Sequence, residues 1–154
     1  MAEDISGLVD VLGLASIDVI GHSLGGVVAY LLAEMRPGLV SRLIVEDVAP
    51  PFPSEPRAVP DRPDGPLPFD WAMLTRVIEQ MNDPDPTCWS RLGEIEAETL
   101  IIAGGSESSV SQDLLVAVAA EIRHCELRTI AAGHHVHATR PDEFAAVALA
   151  FLAH

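Results

Sequence analysis

The chain contains no lysine. All nine of its basic residues are arginine, they stand against 23 acids, and the formal net charge is −14. Such a surface repels polyanions, so neither nucleic acid nor an anionic membrane is an expected partner. The acidity itself speaks to solubility, not to fold. Cysteine is scarce too. Cys88 and Cys125 have no metal-like spacing, and both are expected as reduced thiols of a cytoplasmic protein. No apolar run is long enough to span a bilayer. The opening "MAEDISGLVD" is not a cationic, apolar secretory leader. Low hydrophobicity is also missing: 49% of the residues are apolar, which excludes a disordered chain. A length of 154 residues suits one domain with a real core, and no internal repeat interrupts it.

Periodicity then divides the chain. Ile5, Leu8, Val9 and Leu12 fall on one helical face. Ile17 to Ile20 is short, apolar and bounded by glycine, which predicts a buried strand. A helical pattern runs from Leu24 to Met35 and stops before Pro37 and Gly38. "RLIVEDV" (42–48) predicts a second strand. Residues 50–68 hold most of the prolines and predict an irregular excursion. A helix carrying Leu74, Val77, Ile78 and Met81 follows, stopped by "NDPDP" (82–86). "TLIIAGG" (99–105) predicts a third strand. Leu114, Val118 and Ile122 stripe the next helix, and "ELRTI" (126–130) predicts an edge strand with one wetter face. The last helix starts near Pro141, with Asp142 and Glu143 in its first turn and Phe144, Val147, Ala148 and Phe151 on its apolar face. Strands alternating with helices imply an α/β fold: about four parallel strands, helices on both faces and a short cap insertion. The core is expected at 1–49 and 96–154, and the cap at 50–95.

The chemistry concentrates at "VIGHSLGG" (19–26). A G-x-S-x-G between a strand and a helix is the nucleophile elbow, a turn so sharp that its serine is held in a strained conformation. Gly21 and Gly25 are expected where no Cβ fits. Ser23 is lifted to the carboxyl end of the sheet, beside a helix N-terminus. There the backbone N–H of Leu24 can face a developing oxyanion.

A serine nucleophile needs a histidine and an acid. "AAGHHVHATRPDEF" (131–144) puts His134 in the loop after the last strand, within reach of the same rim. His135 and His137 have the spacing of two metal ligands, but no acid or thiol is adjacent in sequence, so no metal is expected. His22 reads as structural. For the acid, Glu107 lies just beyond the strand 99–105. Asp47, at the end of "LIVED", is the rival, and Asp113 is weaker because it falls inside a helix.

These motifs resemble the α/β-hydrolase superfamily, in particular its small, single-cap, esterase-like members. "DISGLVDVLGL" resembles the helix before the nucleophile strand, and "VIGHSLGGVVAYLLAEMRP" the elbow and its helix. "LIIAGGSESSV" resembles the acid loop, where the acid follows a strand-end glycine by three positions, as Glu107 follows Gly104. It departs in having Glu where Asp is usual. "AGHHVHATRPDEF" resembles the histidine loop, with His134 in the catalytic place. The family also carries several strands before the elbow, one of whose loops supplies a second oxyanion donor. Nothing in residues 1–16 matches that loop. The resemblance therefore implies a C-terminal part of the fold, truncated at the gene, at the start codon or by design.

The expected activity is ester or related acyl hydrolysis through a Ser23-His134-Glu107 triad and an acyl-enzyme. The substrate is a small acyl compound, and no organic cofactor or metal is needed. Trp71, Leu74 and Trp89 line an apolar pocket or belong to the core. The alternatives are a catalytically impaired truncated hydrolase or non-enzymatic remnant, and perhydrolysis or C–C hydrolysis by the same triad. Without its neighbour strands, Ile17–Ile20 would expose an edge and favour self-association.

Overall fold

The computed structural model describes residues 1–153. Four strands form one sheet in the order β1-β2-β3-β4, every pair parallel. They are β1 (Ile17–His22), β2 (Val40–Glu46), β3 (Glu98–Ala103) and β4 (Cys125–Thr129). Among the described residues six α-helices accompany them: α1 (Ala2–Leu12), α2 (Leu24–Met35), α3 (Trp71–Asn82), α4 (Gln112–Glu121), α5 (Val136–Thr139) and α6 (Pro141–Leu152). This is the α/β arrangement that the alternation of patterns implies. None of the helices among the described residues is long and apolar enough to cross a membrane.

The central strands are apolar on both faces because both faces are covered. Along β2 and β3, Leu43, Val45, Ile101 and Ala103 point into a core shared with Tyr30 and Leu32 of α2 and Leu115 and Val118 of α4. Their alternate neighbours Ile44, Leu100 and Ile102 enter a second core with Val136 of α5 and Ala148 of α6. β1 differs. Ile17 and Val19 pack on the first core, but Ile20 on its other face is 51% exposed. β1 pairs with β2 alone and is an edge strand.

Local signals end the helices. Gly13 closes α1 in the left-handed conformation at φ 66°, and Leu14 N–H reaches back to Val9 O at 3.2 Å. The apolar stripe of α1 nevertheless stays largely open. Val9 is buried, whereas Ile5, Leu8 and Leu12 are exposed. Asp70 caps α3 by accepting from Ala72 N–H, and Ser111 caps α4 by accepting from Leu114 N–H. Between β2 and α3 the proline-rich segment is irregular, as expected. It is tied to the end of α3 by a reciprocal pair: Arg57 N–H donates to Asn82 Oδ1 (2.8 Å), and Asn82 Nδ2 donates to Arg57 O (2.9 Å). Trp89 packs against the first core, while Trp71 stacks on Phe69 with ring centres 6.1 Å apart.

In parallel register His22 lies beside Glu46, and Glu46 beside Ile102. Ala103 lies beside Thr129. The carboxyl ends of all four strands therefore form one rim, and the loops that leave it carry Ser23, Asp47, Gly104 and His134.

Candidate active site

Ser23 joins β1 to α2 with φ 51° and ψ −122°, a left-handed backbone for a residue that bears a Cβ. The strain is retained because the turn is fixed on both sides. Ser23 N–H donates to Glu46 O at 3.4 Å, and Ser23 O accepts from Gly26 and Val27 N–H at 2.9 and 3.1 Å. Gly21 is required here, since a Cβ on it would come within 2.6 Å of Gly25 O. The second constrained glycine is not Gly25, which has open space around its missing Cβ. It is Gly26, whose Cβ would overlap Val48 Cγ1. One helical step decides this: position 26 faces β2 and position 25 faces away, exposed. Leu24 N–H opens α2 and is among the donors a helix start leaves unpaired.

Across the rim, His134 Nδ1 lies 3.0 Å from Asp47 Oδ2. This corrects the expectation that Glu107 meets His134. Glu107 is exposed in a short 3₁₀ turn (Gly105–Glu107), and its side chain makes no hydrogen bond among the described residues. Asp47 is fully buried, at 0% exposure. Its Oδ1 accepts from Gly104 N–H at 2.7 Å, and its Oδ2 accepts from the Ser108 hydroxyl as well as facing His134. A buried carboxylate is tolerated when hydrogen bonds replace its water, and these three partners do so. The Gly104-to-Glu107 spacing does mark the right loop. That loop supplies Gly104 and Ser108 as hydrogen-bond donors to the acid, and Asp113 lies in α4.

Gly104 also fixes the histidine loop. Its carbonyl accepts from Ala132 and Gly133 N–H, each at 3.0 Å. A Cβ on Gly104 would strike Gly133 O. Gly133 turns the chain with φ 72°, directly before His134. On the elbow side, His22 Nε2 donates to His134 O at 2.9 Å. His134 is thus held by its ring to β2's end and by its carbonyl to β1's end. No hydrogen bond joins Ser23 Oγ to His134 among the described residues. Catalytic contacts of this kind often tighten only when substrate is bound.

Sequence reasoning missed Glu46. This carboxylate is 1% exposed at the end of β2. It accepts from His137 N–H at 2.9 Å, and its two oxygens lie 3.0 and 2.8 Å from His137 Nδ1. The reading that no acid neighbours His135 and His137 holds only along the chain; in space Glu46 adjoins His137. The signal was present in "LIVED", where successive acids at a strand end must leave on opposite sides.

A strained serine at a strand–helix turn, with a His–Asp pair on the same rim of a parallel sheet, defines a class of α/β enzyme. The chain belongs to the Alpha/beta hydrolase family, which it matches over residues 2–147. It is 25% identical over 197 residues to the sn-1-specific diacylglycerol lipase ABHD11 of Mus musculus, an alignment covering 99% of this chain and 64% of that protein. Among solved structures, it is similar to a carboxylesterase structure from the ammonia-oxidizing thaumarchaeon Nitrososphaera gargenis. The TM-score there is 0.80 at 18% identity, over 99% of this chain and 70% of the other. A membrane phospholipase A described as a bacterial virulence factor gives a TM-score of 0.72 at 21% identity, over 99% and 61%. The structural likenesses speak to the fold. This chain spans about two thirds of the length of these proteins.

Proposed function

We propose that the chain is a serine hydrolase acting on an ester or related acyl bond, with Ser23 as nucleophile, His134 as general base and Asp47 as the orienting acid. The observation that carries this reading is the Asp47–His134 contact at 3.0 Å on the rim that also holds Ser23. Asp47 holds His134 with Nδ1–H toward it, which leaves Nε2 to take the Ser23 proton. Ser23 Oγ attacks the acyl carbonyl, and Leu24 N–H faces the oxyanion. His134 returns the proton to the leaving alcohol, then activates the water that releases the acid. The esterase and lipase relatives favour an acyl substrate.

The test is covalent labelling with a fluorophosphonate, which needs an activated serine but not full turnover. Labelling at Ser23 that disappears in Ser23→Ala is the expected result. An unlabelled wild type, or a label at another residue, overturns the reading. A panel of p-nitrophenyl esters of increasing chain length then defines the acyl group.

A further inference from the structure

We propose that His22, Glu46 and His137 form a binding site for a divalent transition-metal ion of the zinc class, separate from the Ser23-His134-Asp47 set. The three residues come from the ends of β1 and β2 and from α5. One donor atom of each lies within 4.8 Å of the others.

The two rim carboxylates differ in how they are satisfied. Asp47 draws on Gly104, Ser108 and His134. Among the described residues every partner of the Glu46 carboxylate belongs to His137, whose side chain is 45% exposed. A charge buried this deeply calls for a compensating charge. A cation supplies it, in a chain whose net charge is −14.

The imidazoles are set up for the same role. A carbonyl oxygen only accepts, so His22 Nε2, 2.9 Å from His134 O, must carry the hydrogen. Neutral His22 then has its Nδ1 lone pair free. A ring N–H donated to a backbone carbonyl is the outer-shell arrangement that orients metal-binding histidines. His137 Nδ1 stands 2.8 and 3.0 Å from the Glu46 oxygens. Ligands of a tetrahedral ion with bonds of 2.0–2.1 Å are about 3.3 Å apart, so this edge of the site is nearly formed. When an ion replaces a hydrogen on the Nδ1 of a neutral His137 ring, that hydrogen leaves to water and Nε2 takes one up, so the exchange releases no net proton.

Two imidazoles and one carboxylate suit Zn²⁺, Co²⁺ or Ni²⁺; Mg²⁺ and Ca²⁺ prefer all-oxygen sites. The fourth position falls to water or to His135, whose ring centre is 5.1 Å from that of His22 and 6.4 Å from that of His137.

The experiment is calorimetric titration of the chain with ZnCl₂ and, in parallel, MgCl₂, with thermal melts of the same samples. One Zn²⁺ per chain is expected, with Mg²⁺ giving no saturable heat. At about a hundredfold excess over Kd the melting temperature should rise by about 5–10 °C. Glu46→Gln and His137→Ala should each weaken binding at least about tenfold, while His124→Ala, on the exposed turn before β4, should leave it unchanged. Should Glu46→Gln fail to fold, His137→Ala at its exposed position decides alone. Absent saturable Zn²⁺ binding, equal affinity in His137→Ala, or equal Mg²⁺ binding each overturns the site.

Discussion

His134 and Asp47, 87 residues apart in the chain, meet at 3.0 Å because two strand ends share one rim. Asp47 cannot be swung away: its N–H donates to Ile102 O at 2.8 Å, and its φ of 47° is fixed between β2 and β3. Asp47→Asn keeps an oxygen for Gly104 N–H but presents the wrong partner to His134. Its ester turnover or labelling rate should fall on the order of 10⁴-fold, the loss that follows when a triad acid becomes an amide. Glu107→Gln, at an exposed carboxylate without a hydrogen-bond partner among the described residues, should stay within about twofold of wild type. Initial rates with one p-nitrophenyl ester compare the two. A larger loss in Glu107→Gln would return the acid to the 3₁₀ turn.

The glycines of the elbow give a second contrast. An added methyl at position 26 meets Val48 and lies 3.0 Å from Val45 Cγ1 and 3.2 Å from Gly21 O. Gly26→Ala should therefore cost about 1–3 kcal/mol, the usual penalty of overpacking. At position 25 nothing lies within 4 Å, and the residue is in the first turn of α2. Gly25→Ala should be neutral or stabilise by up to about 1 kcal/mol. Urea denaturation of the two variants measures both. Equal destabilisation would mean that position 25 is constrained after all.

Most of the fold was legible in the sequence. The helix predicted from Leu24 to Met35 has those bounds, and each predicted strand is present within about two residues of its predicted ends. What escaped was relation across the sheet. Spacing along the chain from Gly104 favours Glu107 as the acid over its rival Asp47. The rim instead sets Asp47 opposite His134 through the register that pairs Glu46 with Ile102. Glu46 escaped for the same reason, its partner His137 being 91 residues away. The stripe on α1 was read correctly as a helical face, yet periodicity says only which residues share a side. It does not say whether anything covers them, and Leu8 is 56% exposed.

Glu34 predicts a pH dependence. Burial raises its pKa from 4.5 to about 7, against the opposing pull of Arg91 at 3.0 Å. Among the described residues, one of its oxygens, Oε1, and the Arg91 Nε have no hydrogen-bond partner. A carboxyl with a raised folded pKa binds more protons folded than unfolded between those values. Its contribution is therefore most favourable below pH 4.5, is lost as pH rises toward 7, and is constant above. The loss should be on the order of 1–3 kcal/mol. Glu34→Gln removes the titration, so its stability relative to wild type should rise across that window and then level off. Chemical denaturation at several pH values reads the difference. A gap that does not change with pH would show that Arg91 keeps Glu34 ionised throughout.

β1 presents the last test. One side of its backbone pairs with β2, and among the described residues the other has no strand beside it. Ile20 is 51% exposed on the uncovered face, and an apolar groove of about 430 Å³ lined by Ile5, Val19, Val28 and Leu32 runs beside the same edge. Edge strands are commonly protected by lysine, proline or a bulge. The chain has no lysine, the register irregularity of the β1–β2 pairing is confined to Ile17–Asp18 at the start of β1, and the one polar side chain in the middle of β1, Asp18, is paired with Arg42. We propose that a second copy of the chain pairs along this edge. The charge of −14 on each copy opposes the encounter, and salt screens that repulsion over a Debye length of about 8–10 Å at 0.1–0.15 M. Association should therefore increase with protein concentration and with salt, and Ile20→Lys should shift the population toward the monomer mass of 16.4 kDa. Light scattering coupled to size-exclusion chromatography measures it. A monomer at every concentration and salt tested, or a dimer insensitive to Ile20→Lys, would show that β1 is not the edge through which copies meet.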